Sequence, residues 1–247
     1  MCGINGIYQF SGLKVNKDSI KKMNQTMVHR GPDAEGVFED NFVLLGHRRL
    51  SIIDVSSESN QPFHDNSNRY VIVFNGEIYN FNTLKSQLNC YEFKTKSDTE
   101  VVLAAYIKWG KKCVHQLDGM FAFSIWDKKE RSMFIARDRM GIKPLYYTFQ
   151  NDNFIFSSEL KGIQSFPKVD LDISFDAIDL FLTMESIPTP FTIYKNIFKL
   201  ERGHYLYLKK KNLEKKKWYD LTYSPKFSFD NEAEYVDELD RLIKNSI

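Results

Sequence analysis

Cysteine is scarce in this 247-residue chain, which has only Cys2, Cys90 and Cys113. An odd, sparse set with no Cys-x-x-Cys pair argues against a disulfide framework. The five histidines show no metal-ligand spacing, so no metal is expected. Long apolar runs are also missing. Val43 to Leu45 and Met120 to Trp126, the latter broken by Ser124, fall far short of the ~20 residues a membrane-spanning helix needs. The N-terminus MCGINGIYQF has no basic region ahead of an apolar core, so no secretory signal is read and the cytoplasm is the expected compartment. Net charge is only +2, which gives no footing for nucleic acid or a membrane surface. Gly-Gly occurs nowhere, nor does a P-loop pattern. No internal repeat or low-complexity segment is present.

What remains is the composition of a globular protein, with 43% hydrophobic and 27% charged residues. The length allows one large domain, or one domain plus a piece of another. Apolar spacing predicts a helix over 17–28, interrupted by the His29-Arg30-Gly31-Pro32-Asp33 turn. Phe42 to Ile53 and Tyr70 to Phe74 read as strands. Ser97-Asp98-Thr99-Glu100 fits a capping box, opening a helix that ends at Gly110. Four closely spaced strands follow: Met120 to Asp127, Ser132 to Arg137, Leu145 to Phe149 and Phe154 to Ser158. Short turns between successive strands imply antiparallel sheet. With helices on either side in sequence, the class is α+β, with sheets face to face and helices outside. Asp176 to Ser186 is a further helix. Tyr205 to Leu208 and Lys217 to Leu221 read as a hairpin whose six lysines between 209 and 217 are a solvated tip rather than a phosphate patch. Glu232 to Ile247 is an amphipathic helix with Val236, Leu239, Leu242 and Ile243 as its apolar stripe, capped by Asp230 or Asn231.

The residue types that can carry chemistry begin with Cys2. Once the initiator methionine is removed, Cys2 becomes the N-terminus. Its α-amine, with an ordinary pKa near ~8, then sits beside its own thiol, so one residue supplies nucleophile and base. Taken alone, Cys2 reads better as an early buried cysteine. Asn75-Gly76 follows the Tyr70 to Phe74 strand, where an Asn amide and a Gly N–H can aim two donors at one oxygen, as an oxyanion hole requires. A hairpin turn is the competing reading. Arg49 alternates with His47 and Ser51, and its fork suits a carboxylate, although taken singly it reads better as a surface residue. Asp98 at a helix start either caps the helix or binds an ammonium group.

Several ordered motifs converge on one family. MCGI, HRGPD at 29–33, GHRRLSIID at 46–54, QPF at 61–63, FNGEIYN at 74–80, SDTE at 97–100, LDGMFAFSIWD at 117–127, ARDRMGIKPLYY at 136–147 and SSELKGI at 157–163 resemble the class II glutamine amidotransferase domain. Within that class, HRGPD and NGEIYN point to the glutamine-hydrolysing asparagine synthetase branch. PTPFTIYKNIFKLERGHYLYL at 188–208 resembles the end of that domain. The resemblance implies a four-layer αββα sandwich of antiparallel sheets, the N-terminal nucleophile hydrolase type. It implies that Cys2 attacks the side-chain amide of glutamine, giving a γ-glutamyl thioester and ammonia. By the same resemblance, Asn75 and the Gly76 N–H would form the oxyanion hole, Arg49 would clamp the α-carboxylate, Glu77, Gly76 and Asp98 would meet the amino end, the backbone of Leu50, Ser51, Ile52 and Ile53 would line the pocket, and Arg30 would hold the nucleophile loop.

The same resemblance divides the chain into a glutaminase domain at 1–212 and a segment at 213–247. That segment is the linker and the first helix of a synthetase domain whose pyrophosphate loop is absent from this sequence. No cofactor is expected here, because ATP and magnesium belong to the synthetase domain. The expected partners are glutamine and that domain in cis, with no nucleic acid or membrane, and a homodimer left open. Two other readings stand beside this one. In the first, the same donor chemistry serves another acceptor, a sugar or a lactam-forming relative. In the second, the chain is an inactive docking fragment.

Overall fold

Residue alternation along the strands builds the architecture, because each strand sends odd and even positions to opposite faces. The computed structural model describes residues 1–11, 16–223 and 228–246. In chain order these form β1 (Gly3–Gln9), α1 (Lys17–Gln25), β2 (Ala34–Glu39), β3 (Val43–Arg49), β4 (Phe63–His64), β5 (Tyr70–Ile78), α2 (Phe81–Gln87) and α3 (Asp98–Trp109). They continue with β6 (Gly119–Asp127), β7 (Ser132–Arg137), β8 (Tyr146–Gln150), β9 (Asn153–Ser157), α4 (Leu160–Gln164) and α5 (Phe175–Met184). The last elements are β10 (Ile197–Lys199), β11 (His204–Lys209), β12 (Asn212–Lys217) and α6 (Glu232–Ser246).

The strands make two antiparallel six-stranded sheets, ordered β10-β8-β9-β1-β3-β2 and β12-β11-β7-β6-β5-β4. Three apolar clusters separate four layers. Ile4, Tyr8, Val43, Leu45 and Phe156 of the first sheet meet Val71, Val73, Ala122, Trp126 and Ile135 of the second. On its outer face the first sheet buries Ile7, Leu44 and Ile155 against Ile20 and Met23 of α1 and Ile163 of α4. The second sheet buries Ile72, Phe74, Phe121 and Phe123 against α3, which contributes Val101 to Ala105. This is the αββα sandwich. Each fully buried Ile, Leu or Phe contributes roughly 1.5–3 kcal/mol, so the three clusters dominate stability.

Several boundaries differ from the sequence reading. Helix α1 stops at Gln25, and the chain to Arg30 continues as turns that still bury Met27. Strand β3 stops at Arg49, where the chain leaves the sheet for a loop containing a short 3-10 turn at Ser57–Ser59. Ser97 caps α3 by accepting from Thr99 N at 3.2 Å, but Glu100 does not complete a capping box. Its carboxylate instead accepts from Lys94 N, Thr95 N and the Thr95 hydroxyl, fixing the loop ahead of the helix. Gly110 ends α3 at φ 58°, a conformation that favours glycine.

The lysine-rich hairpin turns at Lys210–Lys211, and its second strand is β12, not 217–221. Lysines at 215–217 therefore lie on an edge strand, where charge blunts further pairing. Lys209, Lys215 and Lys217 are ion-paired with Glu130, Glu201 and Asp220. Because β12 pairs along its length with β11, the sheet runs on to Lys217, past the 212 boundary expected from sequence. Helix α6 has no buried residue, and Val236, Leu239, Leu242 and Ile243 are all exposed. Residues 224–227 of the expected linker and Ile247 of the expected helix lie outside the described residues.

Candidate active site

Three inward-facing positions meet at one end of the sandwich. Gly3 pairs with Arg48, so Cys2 lies just beyond the start of β1, next to the end of β3. Arg49 shares the inner face with Val43, Leu45 and His47. Asn75 shares the inner face of β5 with Val71 and Val73. Between the sheets, His47 Nε2 lies 3.2 Å from the Phe74 carbonyl oxygen. Burial pushes this imidazole down to about 3, so it stays neutral and acts as a structural strut.

Asn75-Gly76 is not at a strand end. It lies inside β5, opposite Ala122 and Phe121 of β6, and it is not a hairpin turn either. Glycine at 76 follows from the closeness of β6. A Cβ there would fall 2.3 Å from the Met120 carbonyl oxygen and 2.8 Å from Phe121 Cα. Asn75 is buried, and its Nδ2 has no hydrogen-bond partner among the described residues. A buried amide donor left unpaired is costly, which marks it as a group awaiting an acceptor.

The Cys2 thiol lies 3.6 Å from the Leu50 carbonyl oxygen, and Leu50 N–H points to Sγ at 3.4 Å. Burial raises the thiol pKa, opposed by the Leu50 N–H, the N-terminal ammonium and Arg49. Arg30 anchors the backbone from behind, with Nε donating to the Cys2 carbonyl oxygen at 2.9 Å. Its Nη1 meets Glu159 at 3.1 Å, and Glu159 also receives His29 and Lys161. Although burial opposes ionisation, these three donors hold the Glu159 carboxyl below its usual range.

Asp98 is buried at the N-terminus of α3 and accepts from Ile78 N at 3.0 Å. Desolvation pushes its carboxyl up to about 6, with Glu77 adding to the rise. Arg49 is also buried, but its fork is occupied by the loop that follows. Nη1 donates to the Ser56 carbonyl and to Asn60 Oδ1, each at 2.7 Å, and Nη2 donates to the Asp54 carbonyl. Those three bonds leave the Nε–H and one Nη2 N–H without a partner among the described residues.

One cleft gathers Cys2, Arg49, Leu50, Ile52, Ile53, Asn75, Gly76, Glu77 and Asp98. Ser51 lies outside its lining, with its N–H held by Asp33 at 2.8 Å. Arg30 borders a different hollow with Glu159 and Tyr146. Sequence reasoning missed Gln61 and Lys143 as cleft residues. Gln61 accepts from Phe74 N at 2.6 Å and donates to Thr99 Oγ1 at 3.1 Å, locking β5 to α3. Gln61 lies in the QPF string and Lys143 in ARDRMGIKPLYY, and neither string by itself assigns its residue a separate role. Among the described residues no group of three or more His, Cys, Asp or Glu could hold a metal. No helix among them is long and apolar enough to cross a membrane.

Against known families, the glutamine amidotransferase domain matches over residues 1–219. The chain belongs to that family. Similar relatives include a protein of Methanocaldococcus jannaschii provisionally named glutamine-hydrolysing asparagine synthetase 2, 44% identical over 89% of this chain and 46% of its own length. Glutamine-hydrolysing asparagine synthetase 1 of Bacillus subtilis is 43% identical over 82% of this chain and 33% of its own. Amidase chry2 of Gibberella zeae is 35% identical over 95% of this chain and 36% of its own. The amidotransferase domain thus spans less than half of each of these relatives. Among solved structures, the glutamine phosphoribosylpyrophosphate amidotransferase of B. subtilis has the same fold, with TM-score 0.63 at 19% identity over 88% of this chain and 49% of that one. The chain is therefore a glutamine amidotransferase domain of the asparagine-synthetase-like kind, with the N-terminal nucleophile fold.

Proposed function

We propose that this domain hydrolyses glutamine to glutamate and ammonia with Cys2 as nucleophile. The observation that carries the reading is the buried, unpartnered Asn75 Nδ2 in the same cleft as the Cys2 thiol. After Met1 is removed, the Cys2 amine takes the thiol proton as Sγ attacks the amide carbon. Asn75 Nδ2 and the Gly76 N–H receive the developing oxyanion. The amine then passes the proton to the departing nitrogen, releasing ammonia and leaving a γ-glutamyl thioester. Water attacks the thioester, giving glutamate and restoring the thiol. Arg49 receives the α-carboxylate through the Nε–H and Nη2 N–H that its loop contacts leave over, while Asp98 and Glu77 receive the ammonium. Opposite charges at the two ends penalise ligands that lack either group.

In this reading the chain beyond residue 219 is a linker and the first helix of a synthetase domain in cis. ATP and magnesium act there, and the ammonia amidates aspartate to asparagine. Support comes from the names of the M. jannaschii and B. subtilis relatives. The Gibberella amidase favours a second reading of the acceptor alone, since it shares this region and carries a different name. The cytoplasm suits both readings, because the thiol must stay reduced. The test is glutamate release from glutamine by Met-processed protein. Release is expected from the native sequence and none from Cys2→Ala, and equal release by the two would end the proposal.

A further inference from the structure

Lys143 is a buried cation without a counter-ion. It is 5% exposed, and no carboxylate lies within ion-pair distance of it among the described residues. Its backbone cannot wander. The N–H donates to Asp138 Oδ2 at 3.0 Å, the carbonyl accepts from Arg137 Nε at 2.7 Å, and Pro144 follows. The side chain reaches the cleft that holds Cys2, where Nζ donates to Met1 Sδ at 3.4 Å. A thioether is a weak acceptor and a poor partner for an ammonium group. It is also the group that processing removes. The arrangement therefore makes little sense in the unprocessed chain and more in the mature one.

We propose that Lys143 is a positioning residue for the nucleophile: once Met1 is gone, its ammonium faces the Cys2 thiol and amine and favours the thiolate over the thiol and the free amine over the ammonium. This rests on the glutaminase reading above. The physics is Coulombic. A cation stabilises an anion beside it and disfavours a second cation, so it lowers the pKa of both groups, leaving more of Cys2 at neutral pH with a free amine ready to take the proton of a more acidic thiol. In a site shielded from solvent, such an interaction is screened far less than at a surface. Burial lowers the pKa of Lys143 itself, while Glu77 of β5, Asp138 and Cys2 favour its charge and Arg30 opposes it. Around Cys2 the other charges are the N-terminal ammonium and Arg49, which act in the same sense as Lys143, and Asp98, which acts against it.

The test is the pH dependence of Cys2 alkylation by iodoacetamide, in a Cys90→Ser background because Cys90 is exposed and Cys113 buried. Intact mass confirms Met1 removal, and thermal melting confirms folding. Lys143→Met should move the alkylation midpoint up by about one unit, which is roughly tenfold less thiolate at pH 7. Lys143→Gln serves if the Met variant does not fold, and Lys143→Arg should restore the midpoint. An unchanged midpoint in folded, processed Lys143→Met or Lys143→Gln protein overturns the inference. So does an equal shift in Lys143→Arg, which would mean a packing role. Undiminished glutamate release by Cys2→Ala is the separate result that would remove the glutaminase reading, and this inference with it.

Discussion

Asp98→Asn should make the protein more stable and less active at neutral pH. Asp98 is 4% exposed, and desolvation pushes its carboxyl from 3.8 up to about 6. The folded state therefore holds this proton more tightly than the unfolded chain does. The resulting stabilisation is complete below the unfolded pKa and is lost as pH rises through 6. Above that, the ionised carboxylate is a liability of about two pKa units, with a ceiling of ~3 kcal/mol. Asparagine removes the charge while its Oδ1 can still accept from Ile78 N, but its amide introduces a donor that needs a partner. A net gain of about 1–2 kcal/mol at pH 7.5 is expected, or roughly 2–8 °C in melting temperature for a chain of this size. The gain should shrink toward zero at pH 4, where the native carboxyl is already protonated. The comparison must be variant against native at each pH, because neutral buried His47 gives the opposite slope, destabilising the fold as pH falls below 6.5. Thermal melts from pH 4 to 8 measure the stability. The same substitution removes the anion proposed for the ammonium end of glutamine, so KM should rise at least tenfold at pH 7.5. No gain in stability at pH 7.5, or a gain undiminished at pH 4, would refute the reasoning.

Two further substitutions probe the scaffold around the nucleophile. Gly76→Ala would place a Cβ 2.3 Å from the Met120 carbonyl and 2.8 Å from Phe121 Cα, both backbone atoms that can yield only by shifting β6. Urea unfolding should show a loss of about 2–3 kcal/mol. Glu159→Ala removes the carboxylate that orients Arg30, and through it the Cys2 carbonyl. The rate of glutamate release should fall about tenfold, the size of one charge-assisted bond of ~1.5 kcal/mol, with little change in KM.

The layers were legible because strand alternation and helical spacing agree with burial almost everywhere. Asn75-Gly76 shows where local reading fails. Asn and Gly are poor strand formers, so the strand seemed to end at Phe74. Pairing with β6 carries it on to Ile78, and that pairing is non-local. The lysine hairpin failed similarly. Lys215 to Lys217 looked like a turn by charge, but edge strands tolerate charge and β11 supplies the partner. Arg49 was legible as a residue aimed into the site. That its fork already holds the Asp54 and Ser56 carbonyls was not, because loop closure depends on many weak preferences at once. Lys143 has no local signature at all. Its interest comes from being buried without an anion, and burial is a property of the assembled fold.

The account stands or falls on Cys2 as the group that attacks a glutamine side chain. The most direct measurement is covalent capture by a glutamine analogue bearing a diazoketone in place of the amide, read by intact mass and peptide mapping. One equivalent is expected on Cys2 of Met-processed protein, blocked by excess glutamine and absent where Met1 is retained. Labelling that falls on Cys90 or Cys113, or that is indifferent to glutamine and to Met1, would contradict it.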